Sequence, residues 1–500
     1  MSKTKDTLRL GAARILGIAV QLVSVPIVWD ILGGEQFGIC LFLIVVGRWV
    51  SLVDIGYGVG AQQLMTRALE AGDRAKAYTV FRTYLLLMLA HAAVGFGVFV
   101  ALGRVPALTE QAGTALSGSV FVAAAALFVA QYLFAGTTFY YNASRQFSFL
   151  ALVNGFQFLL SAVAALGLTL WLRTPEAYLA GFAVGYGTFF LVSLARVLSQ
   201  SKGANGARWF DKEAFLYCFG FARRLYLTKV SSVTVGTLDR IAVMNVLGPA
   251  GLTPYSTAAR IPDAATEALP LSQTLLPDFT KAHMEGGRRF AKLVEKSTRV
   301  ALMAGCGLIF IPCAFGGPAL QLWLSDKYVP EMAAVILLIG FLRAIETYFG
   351  GLGQAMLAHG VPHRLTWLTL ITAALVLAFT FPVVRAWGIV GVAALRGVIY
   401  LVEFVPVTWY VWRTVVPEIA FLPWVGRLGG TLGVAGLFAV MGYLISGTPM
   451  VTERPWLALI AAPIAVAAFF YLVDLTRLAP VPDSVKKRVR KLFGGPGSWA

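Results

Sequence analysis

A chain of 500 residues that is 58% hydrophobic and 13% charged, with a mean hydropathy of +0.75, has too few polar side chains to cover a soluble globule. Its 41 Lys and Arg against 24 Asp and Glu give a net charge of +17, which in a soluble protein would point to nucleic acid. The placement of those charges assigns them to membrane topology, and no nucleic-acid partner is expected.

Apolar stretches of about 20 residues, the length that crosses a hydrocarbon core, recur along the chain. Fourteen are counted, at 8–31, 37–60, 82–103, 117–139, 148–172, 177–199, 217–246, 252–276, 299–322, 333–357, 365–384, 388–412, 426–446 and 455–475. The first is longer than a signal-peptide core and has no small-residue cleavage site, so it is expected to span. With the N-terminus inside, the alternate connections on the cytoplasmic side hold 26 Lys and Arg and the opposite ones hold five, Arg104, Arg173, Lys327, Arg385 and Arg454. That bias predicts an even number of spans with both termini cytoplasmic. Cys40, Cys218, Cys306 and Cys313 all fall inside spans without metal or CxxC spacing, and read as buried apolar residues. No metal site or cofactor is expected.

Connections are short on both sides. No external segment is large enough to hold an enzyme site, and no GxxxxGK[ST] loop is present to cradle a nucleotide. These features predict a carrier without a catalytic site. The chain also repeats. Leu32-Gly33, closing the first span, and Leu247-Gly248, closing the seventh, are 215 residues apart, and Ala143 and Ala358, closing the fourth and tenth, share that offset. A parallel repeat of six helices is a recurrent carrier plan. It predicts an N-lobe over 1–202, a C-lobe over 203–414, and an appended pair of helices with a basic cytoplasmic tail over 415–500. The tail segment Val485-Lys-Lys-Arg-Val-Arg-Lys-Leu-Phe493 is basic and amphipathic and is expected to lie on anionic lipid.

Three motifs carry a family resemblance. The second span runs into Asp54-Ile-Gly56-Tyr-Gly58-Val-Gly60, the seventh contains Thr237-Leu-Asp-Arg240, and the ninth is followed by Leu322-Trp-Leu-Ser325. In order and spacing the chain resembles the oligosaccharide-repeat-unit flippases of the polysaccharide transporter family, within the superfamily that includes MATE exporters and lipid II flippases. The resemblance implies an all-α polytopic protein of about fourteen helices, with two six-helix lobes in a V-shaped, MATE-like arrangement. It also implies transfer of an undecaprenyl-pyrophosphate-linked sugar unit across the bacterial inner membrane, with helices 1, 2, 7 and 8 lining the cavity. The further expectations are a monomer that meets membrane lipids, and a polymerase and glycosyltransferases acting on the same pathway. A lipid II flippase, a MATE-type cation exporter and a membrane polysaccharide polymerase or ligase are the alternatives. An acidic cavity would be expected of the exporter, and a large external loop of the enzyme.

A charge inside a spanning helix costs about 2.5–3.5 kcal/mol on insertion scales and by default marks a site or a partner. Arg260, Asp263 and Glu267 share one face of the eighth span. Arg260 is a candidate substrate contact, and Asp263 and Glu267 are its supports or groups that titrate with H+ or Na+ coupling. Pro262 and Pro270 are expected to kink or break this helix. In the second span, Arg48 is a candidate substrate contact and maps onto Asp263 by the 215-residue offset. Asp54 is read as a cap or lock, with a gating role as the alternative. In the seventh span, Arg223 and Arg224 either snorkel to the headgroups or draw the pyrophosphate, because guanidinium grips phosphate with two parallel hydrogen bonds, and Lys229, which lies deeper, is a candidate cavity residue for the substrate. Asp239 and Arg240 form a candidate outer gate or structural pair. Arg343 with Glu346 and Arg396 with Glu403 are read as packing pairs, and His91 as a core residue.

Overall fold

The computed structural model describes residues 2–54, 56–105, 118–201, 206–268, 275–360, 362–481 and 485, and every described element is helical. The helices are α1 (Ser2–Val50), α2 (Tyr57–Glu70), α3 (Arg74–Leu102), α4 (Gly118–Ala143), α5 (Phe147–Leu172), α6 (Pro175–Ser201) and α7 (Lys212–Ala268), then α8 (Leu275–Glu285), α9 (Gly287–Gly305), α10 (Ile311–Ala314), α11 (Gly316–Leu324), α12 (Glu331–Ala358), α13 (Pro362–Val415), α14 (Phe421–Ser446), α15 (Pro449–Glu453) and α16 (Trp456–Leu475). A π-helical turn, Cys306–Phe310, joins α9 to α10.

Among the described residues, eleven helices are long and apolar enough to cross a membrane. Three of them, α1, α7 and α13, run for 49, 57 and 54 residues. At 1.5 Å per residue, 57 residues would reach about 85 Å, against about 30 Å of hydrocarbon. Each is broken by one glycine: Gly33 (φ 76°, ψ 163°), Gly248 (φ 73°, ψ −177°) and Gly388 (φ 60°, ψ −148°). Gly33 and Gly248 sit in a region of backbone space that only glycine enters readily. Each of the three long helices therefore holds two of the fourteen expected spans. The break expected at Pro262 does not occur, since only Gly248 leaves helical geometry in α7. Pro270 lies outside the described residues. The span expected at 37–60 is interrupted after Val50 by a turn at Ser51–Val53.

The outer surfaces of these helices are apolar. Leu191 (62% exposed), Leu377 (58%), Leu437 (58%) and Ile464 (57%) stand on spanning segments where water would oppose them. Trp171 and Trp387, at helix ends, are the exposed aromatics expected near headgroups. Several hydroxyls within spans are satisfied locally. Ser231, Thr234 and Thr237 each donate to the carbonyl four residues back, which removes an unpaired donor from the apolar layer. The chain is a multi-pass membrane protein.

The helices form two compact units, Met1–Thr253 and Pro254–Ala500, and α7 passes from one into the other. The first unit packs an aromatic-rich core in which Tyr78, Phe81, Tyr84, Phe134, Tyr140 and Tyr141 meet Ala214, Cys218 and Ala222 of α7. Its loop before α7 is pinned by α3: Thr79 and Thr83 hydroxyls accept the amides of Arg208 and Asp211, and Arg82 donates to the Ala207 carbonyl at 2.8 Å. The second unit has a large core. Trp424, Leu428, Ala435, Phe469 and Val473 of the last two long helices share it with Phe290, Val294, Leu302 and Tyr348. Arg299 fastens this end, donating to the carbonyls of Arg477 (2.9 Å) and Leu478 (2.6 Å) just past α16. Carbonyls past a helix end have no intrahelical donor, so a half-buried arginine there completes them.

The backbone marks the 215-residue repeat along the chain. Gly33 and Gly248 are 215 residues apart and have nearly the same φ. The last residues of α4 and α12, Ala143 and Ala358, and the first of α5 and α13, Phe147 and Pro362, keep the same offset.

Candidate functional site

In each unit a group of charges inside the spanning segments comes together. In the first unit the centre is the turn that ends α1. Ser51–Val53 is a single 3-10 turn, Asp54 is extended, and Gly56 has φ +106°. The interruption strips carbonyls of their helical partners, and each needs a donor from elsewhere. Lys229 of α7 replaces those partners. Its Nζ donates to the Ser51 carbonyl at 2.7 Å and to the Asp54 carbonyl, and lies 3.7 Å from Asp54 Oδ2. Asp54 Oδ1 in turn accepts the amides of Gly56 (2.9 Å) and Tyr57 (3.2 Å), capping α2. An ammonium has three donors, and two of them are committed to this turn.

The motif's glycines divide the work. Gly56 supplies the positive φ, and a side chain at Gly58 or Gly60 would strike the Phe139 ring or the Cys218 backbone. Close approach of α2 to α4 and α7 is thus built into Asp54-x-Gly-x-Gly. His91 lies nearby, its ring 5.4 Å from that of Tyr57 and its Nδ1 2.7 Å from the Leu87 carbonyl.

Two residues before the turn, Trp49 Nε1 donates to Thr237 Oγ1 at 2.8 Å and ties α1 to α7. Trp49 also lines a cavity of about 520 Å³ with Phe42, Val46, Phe121, Met244 and Asn245. This volume lies within the range of small-molecule pockets, and its walls are mostly apolar. Asp239 is buried in the same helix, with Oδ1 accepting the amide of Arg240 at 2.8 Å. Gly38, one turn past the kink, has no room for a side chain, because the Pro249 carbonyl occupies that place.

In the second unit Asp263 and Glu346 are joined through arginines. Arg343 of α12 donates to Asp263 Oδ1 through Nε at 2.7 Å, and its Nη2 is 2.6 Å from the same oxygen. Its Nη1 bonds Glu346 Oε2, and Arg396 of α13 reaches Glu346 Oε1 at 3.3 Å. Arg396 is 3% exposed, while the other three side chains are about one-fifth exposed. Two carboxylates and two guanidiniums balance, which lowers the penalty of keeping ions in an apolar layer. Arg396 meets Glu346, whereas Glu403, its expected partner, takes the Thr372 hydroxyl on both oxygens at 2.9 and 2.8 Å. Neither the 215-residue offset nor the helical face shared with Arg260 and Glu267 hints at Arg343 as the partner of Asp263.

The remaining candidates are dispersed. Arg48 is exposed on α1 and its carbonyl accepts the Ser51 hydroxyl at 2.6 Å. Arg223 is exposed on α7, and the side chain of Arg224 lies outside the described residues. Arg260 is half-buried and Glu267 exposed near the end of α7. Cys40, Cys218, Cys306 and Cys313 are buried and free. Residues 486–500, which include most of the basic tail, lie outside the described residues.

A family model described as "Polysaccharide biosynthesis protein" matches residues 30–333. No curated protein matches the chain. Among solved structures, the fold is similar to a lipid II flippase, MurJ, in an inward closed conformation, at 12% identity and TM-score 0.58 over 90% of this chain and 99% of that one. It is also similar to a multidrug resistance MATE family transporter of the MOP superfamily. The outward-facing form aligns at 14% identity and TM-score 0.58 over 83% of this chain and 97% of that one. The inward-facing form aligns at 15% and 0.55 over 79% and 94%.

Proposed function

The chain belongs to the polysaccharide biosynthesis protein family, and from that premise we propose that it is a flippase. Its cargo is an undecaprenyl-pyrophosphate-linked oligosaccharide, a repeat unit of O-antigen, capsule or exopolysaccharide. The cargo moves by alternating access from the inner to the outer leaflet of the bacterial cytoplasmic membrane, and both termini face the cytoplasm. The observation that carries this reading is a polysaccharide-biosynthesis chain built on a fold similar to a lipid II flippase and a MATE transporter. Such a chain would move a lipid-linked glycan and leave its bonds intact.

The charged positions take separate roles. Arg48 in the first unit and Arg260 in the second are proposed contacts for phosphate and sugar, and Arg223 and Arg224 draw the pyrophosphate by bidentate pairing. Lys229 and Asp54 hold the turn after α1, so their contribution is to position that segment. Asp263, engaged by Arg343, is the proposed coupling group with Glu267: taking up H+, or meeting Na+, would weaken its hold on the guanidinium. Asp239 and Arg240 are the proposed outer gate. The polymerase and glycosyltransferases of the pathway are proposed functional partners of a monomeric carrier.

The test is reconstitution in liposomes with a fluorescent lipid-linked oligosaccharide, following its exposure to an external lectin. Lectin access should rise in a protein-dependent manner, and a charge-removing change at Arg260 should slow it. Unchanged access would reject the flippase reading. Lipid II in the same assay separates the related cargo, and rates independent of pH and Na+ would reject coupling at Asp263. In cells, deletion should remove surface polysaccharide and leave inward-facing lipid-linked units to accumulate.

A further inference from the structure

The turn between α4 and α5 holds a residue that its backbone does not favour. Arg145 has φ +55°, a left-handed conformation in which a side chain is strained and glycine is not. The matching turn of the second unit, between α12 and α13, lies 215 residues on (360 − 145), and there Gly360 has φ +85°. The repeat thus places glycine at this turn once and arginine once. Local stability does not account for the arginine. Its ion pair to Glu70 at 2.8 Å is 72% exposed on the arginine side and 58% on the other, and exposed pairs contribute little. A strained residue whose ion pair is this exposed is a place where function is to be sought.

Arg145 stands on the rim of a cleft of about 680 Å³ at the Arg-rich end of the first unit. The floor is made by Tyr78 and Tyr140, both buried, with hydroxyls 3.1 Å apart. Gln146 and Gln200 form the wall, exchanging amide hydrogen bonds at 3.3 Å in both directions, and Gln200 also accepts from Tyr140 at 3.2 Å. Arg74 is the second cation on the rim and Glu70 the only acid lining the cleft. Two guanidiniums with neutral hydroxyl and amide donors behind them suit an anion with several oxygens. Phosphate is the group that guanidinium matches with two parallel hydrogen bonds. The cleft sits at the ends of α2, α4 and α6 and the starts of α3 and α5, and its volume exceeds that of a bare ion.

We propose that this cleft binds a phosphate-bearing headgroup, with Arg145 exchanging Glu70 for the phosphate. The site lies within the first unit and does not depend on which cargo is transported. The same phosphate chemistry could be presented by an anionic phospholipid or by free pyrophosphate, and the experiment separates the two.

The purified full-length protein is melted in phosphatidylcholine nanodiscs, in discs with added phosphatidylglycerol, and in phosphatidylcholine discs with inorganic pyrophosphate. A thiol-reactive dye reports unfolding through the four buried cysteines. The wild-type midpoint should rise with one of the two anions. A rise with phosphatidylglycerol alone assigns a lipid headgroup, and a rise with pyrophosphate assigns the free anion. Arg145→Gly relieves the strained backbone, so its midpoint in phosphatidylcholine should equal or exceed that of wild type. Its anion-induced rise should fall by more than half. Glu70→Gln should reach saturation at several-fold lower anion concentration. Arg173→Gly, at another left-handed arginine (φ +54°) outside the cleft, should leave the anion response unchanged. No rise with either anion, a full rise in Arg145→Gly, or equal losses in Arg145→Gly and Arg173→Gly would overturn the proposal.

Discussion

Replacing Asp54 separates its two jobs. Asp54→Ala removes the acceptor for the Gly56 and Tyr57 amides and the counter-charge of Lys229, whereas Asp54→Asn keeps an acceptor and removes only the charge. A lost cap costs about 0.5–2 kcal/mol. Stripping a buried ion of its partner costs about 3–5 kcal/mol. Lys229, however, is 28% exposed and keeps two carbonyl acceptors, which reduces its share to about 1–3 kcal/mol. Asp54→Asn should therefore destabilise by about 1–3 kcal/mol and Asp54→Ala by about 2–4 kcal/mol, or about 2–4 °C of midpoint per kcal/mol. Lys229→Gln should cost as much as Asp54→Asn, and the double variant should fall short of the sum by about 1–2 kcal/mol, because the two groups share one interaction. Cys40, Cys218, Cys306 and Cys313 are at most 5% exposed, so dye labelling during a thermal ramp reads unfolding directly. Equal midpoints for Asp54→Asn and Asp54→Ala, together with strict additivity in the double variant, would refute the assignment of Lys229 to this turn.

The ion network of the second unit predicts that Arg343→Met leaves Asp263 and Glu346 short of a shared cation and lowers stability by about 3–5 kcal/mol, while exchanging the charges as Asp263→Arg with Arg343→Asp recovers part of the loss. Melting and flipping rates of Arg343→Met and of the charge-exchanged double variant check this, and a wild-type midpoint in Arg343→Met would refute it. At the chain reversals, Gly33→Ala and Gly248→Ala should each cost about 1–3 kcal/mol from backbone strain, measured by the same ramp. Gly38→Ala should cost about 1–3 kcal/mol because its methyl would meet the Pro249 carbonyl, whereas Gly97→Ala, on an open helical face, should gain about 0.5–1 kcal/mol.

Membrane insertion is decided segment by segment, so it can be read locally. A run of about 20 apolar residues crosses whatever its neighbours do, and the bias of 26 to 5 in Lys and Arg predicts which way each run points. The eleven helices, with three broken by glycine, follow from runs already visible in the chain. The repeat was legible from two Leu-Gly pairs because a helix reversal needs a residue without a side chain, and that requirement is local too. The family resemblance rested on similarly short signals around Asp54, Thr237 and Leu322. Hydropathy could not show that the span after Gly33 stops at Val50, because the interruption at Ser51–Val53 is as apolar as the helix around it.

The partners of the charges belong to the tertiary structure alone. Lys229 meets Asp54 across 175 positions and Arg343 meets Asp263 across 80, separations at which no periodicity links two residues. A charge in an apolar span announces only that it needs a partner. The packing of helices decides which of several opposite charges comes within 3 Å. The same limit hid the fastening of Arg299 beyond α16 and the common core of the second unit, and it hid Arg145, whose strain is a dihedral angle. Sequence by itself determined that the chain spans a membrane, roughly where it does so and with what repeat. Tertiary structure decided which buried ions hold the fold together, because the cost of an ion in hydrocarbon is set by its neighbours in space.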